Sequence, residues 1–445
     1  MEQQSIDLGR QPVGRLFRIY FIPTLLGMVS LCVVTMADGI FVGRGVGPDG
    51  VAAVNIVYAP FMAMIGLGLM LGIGCSVIAS IRLAHNEIEK ARQNVSYALA
   101  GATAVVGVLI ALMMLFPRQT GRLLGSSENL MPLVTDYLLW IAPAIIFNMW
   151  SIIGLFVVRL DGSPKFAMWC NVVPGLLNIL LDWLFIFPLG MGIKGAAIAT
   201  AIAISTGAVM AIVYLLFYAE KLRLIRIRLD GKGIKSMLKA LGYQSRIGVS
   251  AFLGEATMGM VMFVGNLVFM HYLSDAGVAA FGIACYYCPF FFMIGNAIAQ
   301  SAQPIISYNY GLGLADRVRG TETLAIKTAL GFGIVVTAGF VAFPQGMVGL
   351  FLDTHTEAAR LAIEGLPMFA ACIIFFIFNV TAIGYFQSVE RVAPSVWFAL
   401  MRGIIFLVPS FVLLPMAIGT PGIWLALALS EILTSICIIA YYLKK

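Results

Sequence analysis

The chain has 445 residues, 61% of them apolar and only 11% charged, with a mean hydropathy of +0.97 and a formal charge of +7. A water-soluble domain is about 45–50% apolar and about 25% charged, so no soluble core absorbs this excess and the second solvent is lipid. Its apolar runs are continuous, which excludes a barrel of alternating strands. The basic residues fall in loops without interleaved aromatics, which argues against nucleic acid and fits a membrane protein's cytoplasmic loops.

A crossing helix needs about 20 mostly apolar residues. Breaks at charged, Gly-rich or Pro-rich points predict an all-α polytopic fold with twelve transmembrane helices. These span 17–41, 51–81, 95–116, 130–158, 166–189, 195–218, 246–272, 277–307, 323–343, 359–386, 393–415 and 421–443. Residues 1–14 are polar, and the run after them is too long for the core of a cleavable signal.

The first span carries Asp38 deep within it, in Thr35-Met36-Ala37-Asp38-Gly39. Asn148 lies in the fourth. In the fifth, Asn178 and Asp182 stand four apart and share one helical face, one turn after Pro174, which removes a backbone hydrogen bond. The sixth opens on small residues, Gly195-Ala196-Ala197, and offers a hydroxyl at Thr200. Glu255 sits in the seventh. The eighth holds Tyr286 and Tyr287, which either line a cavity for lipophilic substrates or pack against neighbouring helices. Cys285 and Cys288 share that helix and read as small core residues, since no second pair or nearby His completes a zinc site. Arg402 and Glu431, in the last two spans, are expected to form a structural pair.

Loops on the side of the termini hold twenty-two basic residues and the opposite loops five, so both termini are expected in the cytoplasm of a multi-pass inner-membrane protein. The most basic stretch begins at Lys221 and alternates apolar with basic residues. It suits either the anionic inner leaflet or a solvated linker. It divides the chain into an N-lobe (1–219), a linker (220–245) and a C-lobe (246–445).

The lobes repeat one another. Gly50-Val51-Ala52-Ala53 returns as Gly277-Val278-Ala279-Ala280, Phe147-Asn148 as Phe378-Asn379, Pro164 as Pro394 and Gly195 as Gly422. All offsets lie near about 230 residues and keep their order. Two six-helix units repeated in one orientation imply a pseudo-twofold axis along the membrane normal, as in transporters that rock about a central site.

An intramembrane charge costs about 2.5–3.5 kcal/mol on insertion scales, so Asp38 and Asp182 are read as functional. With Asn178 and Thr200 they offer hard oxygens and two negative charges. Such a pocket suits Na⁺, or else the two carboxylates hold a proton between them. Asn148 adds an amide, and Glu255 a further ion or substrate carboxylate. No Walker A sequence and no H-E-x-x-H motif is present. The energy source is therefore expected to be an ion gradient, with no enzyme activity and no cofactor beyond the coupling ion.

The motifs together resemble the multidrug and toxic compound extrusion (MATE) family. They are Asp38-Gly-Ile-Phe-Val-Gly43-Arg44, Arg159-Leu-Asp-Gly162-Ser-Pro164-Lys165, Asn178-x-x-x-Asp182, Gly192-Ile-Lys-Gly195-Ala-Ala-Ile-Ala-Thr200 and Gln303-Pro304-Ile-Ile-Ser-Tyr-Asn309-Tyr-Gly311. The resemblance implies a V-shaped transporter of two lobes, monomeric among membrane lipids, exporting cationic or lipophilic small molecules in exchange for Na⁺ or H⁺. It implies an ion site at Asp38, Asn178, Asp182 and Thr200, a polar position at Asn148, a bending proline at Pro23 and the helix 7 acid at Glu255. The helix 10 acid of some members is absent here, where the chain reads Phe369-Ala-Ala-Cys372. That departure favours coupling through the first lobe. The alternative is a lipid-linked oligosaccharide flippase of the same wider superfamily. It calls for a cavity rich in Arg or Lys, and the sequence offers Arg402 as the one well-buried base.

Overall fold

The structure, a computed structural model, describes residues 6–227, 230–351 and 355–444. Arg228 and Lys445, two of the bases counted above, lie outside them. Among the described residues every regular element is a helix.

Ten helices are long and apolar enough to cross a membrane, and the pair Met131–Ile141 and Ala144–Leu160, bent by 50°, supplies another span. The helix Gly231–Gly311 is two helices meeting at Ser274, whose φ of 55° no L-residue adopts within a helix. Twelve spans result. We number them α1 (Val13–Gly45), α2 (Pro48–Ala84), α3 (Ile88–Leu115), α4 (the bent pair), α5 (Pro164–Ile186) and α6 (Gly192–Val213). The rest are α7 (231–273), α8 (275–311), α9 (Ala315–Ala342), α10 (Glu357–Ser388), α11 (392–418) and α12 (Thr420–Leu443). The bend in α4 falls at Pro143, which has no N–H to give to the helical ladder. Single π-helical turns end α6 at Tyr214–Tyr218 and interrupt α11 at Met401–Ile405.

The chain forms two compact units. The first takes residues up to Phe252 together with Ser307–Leu314, and the second takes Leu253–Ile306 with everything from Ala315 onward.

Within the first unit, α7 starts at Gly231, earlier than hydropathy places it, because Asp230 caps it by accepting the Gly233 N–H at 2.7 Å. Capping lets polar residues begin a helix that apolar counting starts at 246. Main chains then approach closely: a Cβ at Gly74 would overlap the Gln244 carbonyl, and one at Gly248 the Met70 carbonyl. Gln244 Nε2 donates to Asn94 Oδ1 at 2.8 Å, closing this contact with a buried bond.

The start of the linker is held against the same unit. Asp161 accepts the N–H groups of Glu220, Lys221 and Leu222 at 3.0, 2.9 and 2.8 Å, and the Tyr214 hydroxyl at 3.0 Å. Ser96 Oγ accepts the Ile225 N–H at 3.0 Å, and Leu222 is fully buried.

The second unit is built on aromatics. Phe269 stacks on Phe281 with centroids 4.4 Å apart and meets Trp424 edge-on at 4.8 Å. Beside them Arg402 Nη2 donates to Glu431 Oε1 at 2.8 Å, Asn379 Nδ2 to Glu431 Oε2 at 2.7 Å, and Ser435 Oγ to Asn379 Oδ1 at 2.8 Å. The guanidinium also lies 4.1 Å from the Phe376 ring centre. Arg402 is not the only well-buried base, however. Arg159 is 6% exposed and stacks over Phe156 at 4.6 Å, because its long stem packs among apolar neighbours. Cys285 and Cys288 are buried free thiols.

Candidate functional site

The site in the first unit follows from how α1, α5 and α6 pack. A Cβ on Gly27 would touch the Asn171 amide, one on Gly175 would lie 2.6 Å from Val34 Cγ2, and one on Gly45 would overlap Ile186. Positions rise together along both chains, so α1 and α5 run parallel in a fixed register. One turn beyond Val34 lies Asp38. One and two turns beyond Gly175, on its face, lie Asn178 and Asp182.

Helix α6 returns antiparallel. A Cβ on Gly207 would sit 2.9 Å from the Cys170 carbonyl and 3.0 Å from Pro174, and one on Gly195 would sit 2.9 Å from Phe185 Cβ. Thr200, between the two glycines, therefore faces the middle of α5, and Asn178 Nδ2 stands 3.4 Å from Thr200 Oγ1.

Four of the sequence-derived site residues are thus brought together. The Asp38 and Asp182 carboxyls lie within hydrogen-bonding reach of each other. Ionised carboxylates only accept, so nothing joins them until a proton or a cation comes between. Both oxygens of Asp182 and Oδ1 of Asp38 are buried with no hydrogen-bond partner among the described residues. Asp182 is fully buried and Asn178 nearly so. Buried acceptors without donors are expensive, and two negative charges flanked by neutral oxygens fit one small cation or proton. Among the described residues no group of three His, Cys, Asp or Glu is placed to hold a metal.

Sequence reasoning misses Tyr137. The bend in α4 brings it into the core shared by Val42, Val57 and Ala197. There its hydroxyl reaches Thr200 beside both acids, with Tyr58 of α2 close by. A tyrosine carries no charge to mark it in an apolar run, and its one cue is the hydroxyl itself.

Other expected residues stand apart from this cluster. Asn148 Oδ1 is buried and has no hydrogen-bond partner among the described residues, the acids included. Pro23 is buried within α1. Glu255, on α7, belongs to the second unit and makes no hydrogen bond or ion pair among the described residues. Tyr287 donates to the Met347 carbonyl at 3.0 Å and meets Phe340 edge-on at 4.9 Å. Tyr286 is largely exposed and stacks on Phe351 at 5.3 Å.

Comparison with known proteins agrees with this architecture. Multidrug export protein MepA of Staphylococcus aureus (strain NCTC 8325 / PS 47) is 24% identical over 452 residues, covering 100% of this chain and 97% of its own. The FAD transporter of Shewanella oneidensis is 25% identical over 450 residues, covering 98% and 95%. Among solved structures, an outward-facing conformation of a multidrug resistance MATE family transporter of the MOP superfamily has the same fold. Its TM-score is 0.90 at 22% identity, over 98% of this chain and 97% of that one. The MatE family model matches twice, at residues 23–184 and 251–412, once in each half and at the offset of the internal repeat. The two matches span most of the sequence, and the chain belongs to the MatE family, the multidrug and toxic compound extrusion (MATE) transporters.

Proposed function

We propose that this chain is an antiporter that exports cationic or lipophilic small organic molecules in exchange for Na⁺ or H⁺ bound at Asp38 and Asp182. The acid pair carries the reading: two buried carboxylates side by side, with three of their oxygens lacking donors. Loading with a cation or proton removes their repulsion, and unloading restores it. The loaded and empty protein therefore differ in the free energy of the α1–α5 contact, which is what coupling to a conformational change requires. Asn178 and Thr200 supply neutral oxygens, and the bending proline Pro23 lies on the helix that carries Asp38.

The polarity of this unit favours cations as cargo. A multidrug export protein and an FAD transporter stand at nearly equal identity, so kinship alone does not choose between them. Paired carboxylates repel the phosphates of a dinucleotide. Asn148, Glu255, Tyr286 and Tyr287 are proposed as substrate contacts, Glu255 for the charge of a cation and the tyrosines as apolar wall. The flippase alternative gains no support: of the two well-buried bases, Arg402 is bonded to Glu431, and Arg159 donates to the Leu155 carbonyl and lies over Phe156. The charge bias of the loops supports an inner-membrane protein with both termini in the cytoplasm, and the family resemblance is the basis for reading it as a monomer.

Ethidium and FAD, each loaded into proteoliposomes holding the purified protein, test the cargo. Gradient-driven efflux of ethidium alone supports the reading, and efflux of FAD alone overturns its substrate class.

A further inference from the structure

Outside the acid pair, a half-buried carboxylate lies in the second unit. Glu322, two turns into α9, has an Oε1 that is buried and accepts no hydrogen bond among the described residues. It borders a cavity of about 230 Å³, counted with its mouth, that α8, α9 and α10 enclose. The walls are alanine and isoleucine, and the polar groups that share them are Thr381 and Tyr385 of α10. The hydroxyls of Tyr385 and of Tyr442, on α12, stand within hydrogen-bonding reach of the carboxylate. Arg319 and Arg391 act on it from a distance, and neither forms an ion pair with it.

We propose that Glu322 binds a small monovalent cation, with Thr381 Oγ1 and the Tyr385 hydroxyl as neutral oxygen partners. Three observations lead there. The Thr381 hydroxyl donates to the Ile377 carbonyl at 2.8 Å, so its oxygen lone pairs remain to accept a cation. The cavity supplies one carboxylate, which one positive charge neutralises. A hard divalent ion takes about six to eight oxygens, several of them anionic, and among the described residues no cluster of three acidic, thiol or imidazole groups exists. Size decides the rest. Drug-sized ligands occupy about 300–1,000 Å³, whereas this space admits about one water-sized body. Apolar walls raise the energy of the carboxylate oxygen that lacks a donor, so an ion that enters is held by charge. This inference does not depend on the antiport reading.

Binding of ²²Na⁺ to the purified full-length protein in detergent tests it. Asp182→Asn removes the first-unit site, and that variant is expected to keep saturable Na⁺ binding. Adding Glu322→Gln abolishes it. Adding Thr381→Val instead, which leaves the carboxylate and the helix intact, weakens it about tenfold, the scale of one oxygen contact to a charge. Two results overturn the proposal: no Na⁺ binding by Asp182→Asn alone, or undiminished binding once either second substitution is added. Failure of gradient-driven efflux bears on the antiport reading and leaves these binding results standing.

Discussion

Asp182 on α5 stands beside Asp38 on α1, and the register that places them is fixed by glycines that let the two parallel helices touch. Small residues do this in membranes because lipid supplies no hydrophobic drive between helices, so close packing must hold them. Backbone proximity therefore brings two like charges together, and the function proposed above uses that cost.

Asp38→Asn and Asp182→Asn are expected to bring efflux down to the level of empty liposomes while the protein remains folded, since Asn keeps the shape and removes the charge. Glu255→Gln is expected to impair export less. Efflux assays paired with gel filtration check this, and an equal loss in Glu255→Gln would move the coupling site to the second unit.

Gly175→Ala pushes a methyl group into Val34 and is expected to destabilise the protein by about 1–3 kcal/mol, the usual cost of overpacking. Val34→Ala in the same chain is expected to restore most of that loss. Thermal unfolding in detergent reads both, and a harmless Gly175→Ala would show that the α1–α5 register is loose.

Arg402→Met leaves Glu431 as an uncompensated buried charge and is expected to cost about 3–5 kcal/mol. Replacing both residues by Met is expected to cost less than the single change. A thermal-shift double-mutant cycle measures the difference, and independent, additive losses would deny the pair its coupling.

Asp161→Ala removes the acceptor for three consecutive amides. Hydrogen exchange of the peptide covering 220–225 is expected to speed up by at least about tenfold, since a bond to a charged acceptor is worth about 1.5–3 kcal/mol. Exchange in α1 is expected to stay as it was. Unchanged exchange at 220–225 would mean that other contacts hold the linker.

Glu87, in the loop between α2 and α3, has its carboxyl held down to about 2 by hydrogen bonds from Lys90 and then Arg82. Because its folded value is depressed, any stability it adds is complete above the ordinary glutamate range and fades only as pH falls toward about 2. The pH profile of transport between about 5.5 and 8 is therefore expected to keep its shape in Glu87→Gln, as efflux at stepped pH would report. A displaced profile would place this loop in the proton pathway.

Lipid as solvent explains how much the sequence discloses. Long apolar runs mark the spans, and buried charges such as Asp38, Asp182, Arg402 and Glu431 stand out because each is costly there. Asn178 and Thr200 follow from helical spacing and small neighbours. What stays hidden is set by tertiary contact. Tyr137 enters the site through a bend at Pro143, the start of α7 depends on a cap at Asp230, and the buried Arg159 looks like one more loop base. Glu322 escapes notice for the opposite reason, since a polar helix start disguises the cavity behind it.

Efflux of ethidium from proteoliposomes under an imposed Na⁺ gradient, and separately under an imposed pH gradient, tests ion coupling at the acid pair most directly. The account predicts efflux driven by at least one gradient in the wild type and abolished in Asp182→Asn. Efflux that persists undiminished in Asp182→Asn, or none from the wild type under either gradient, would contradict it.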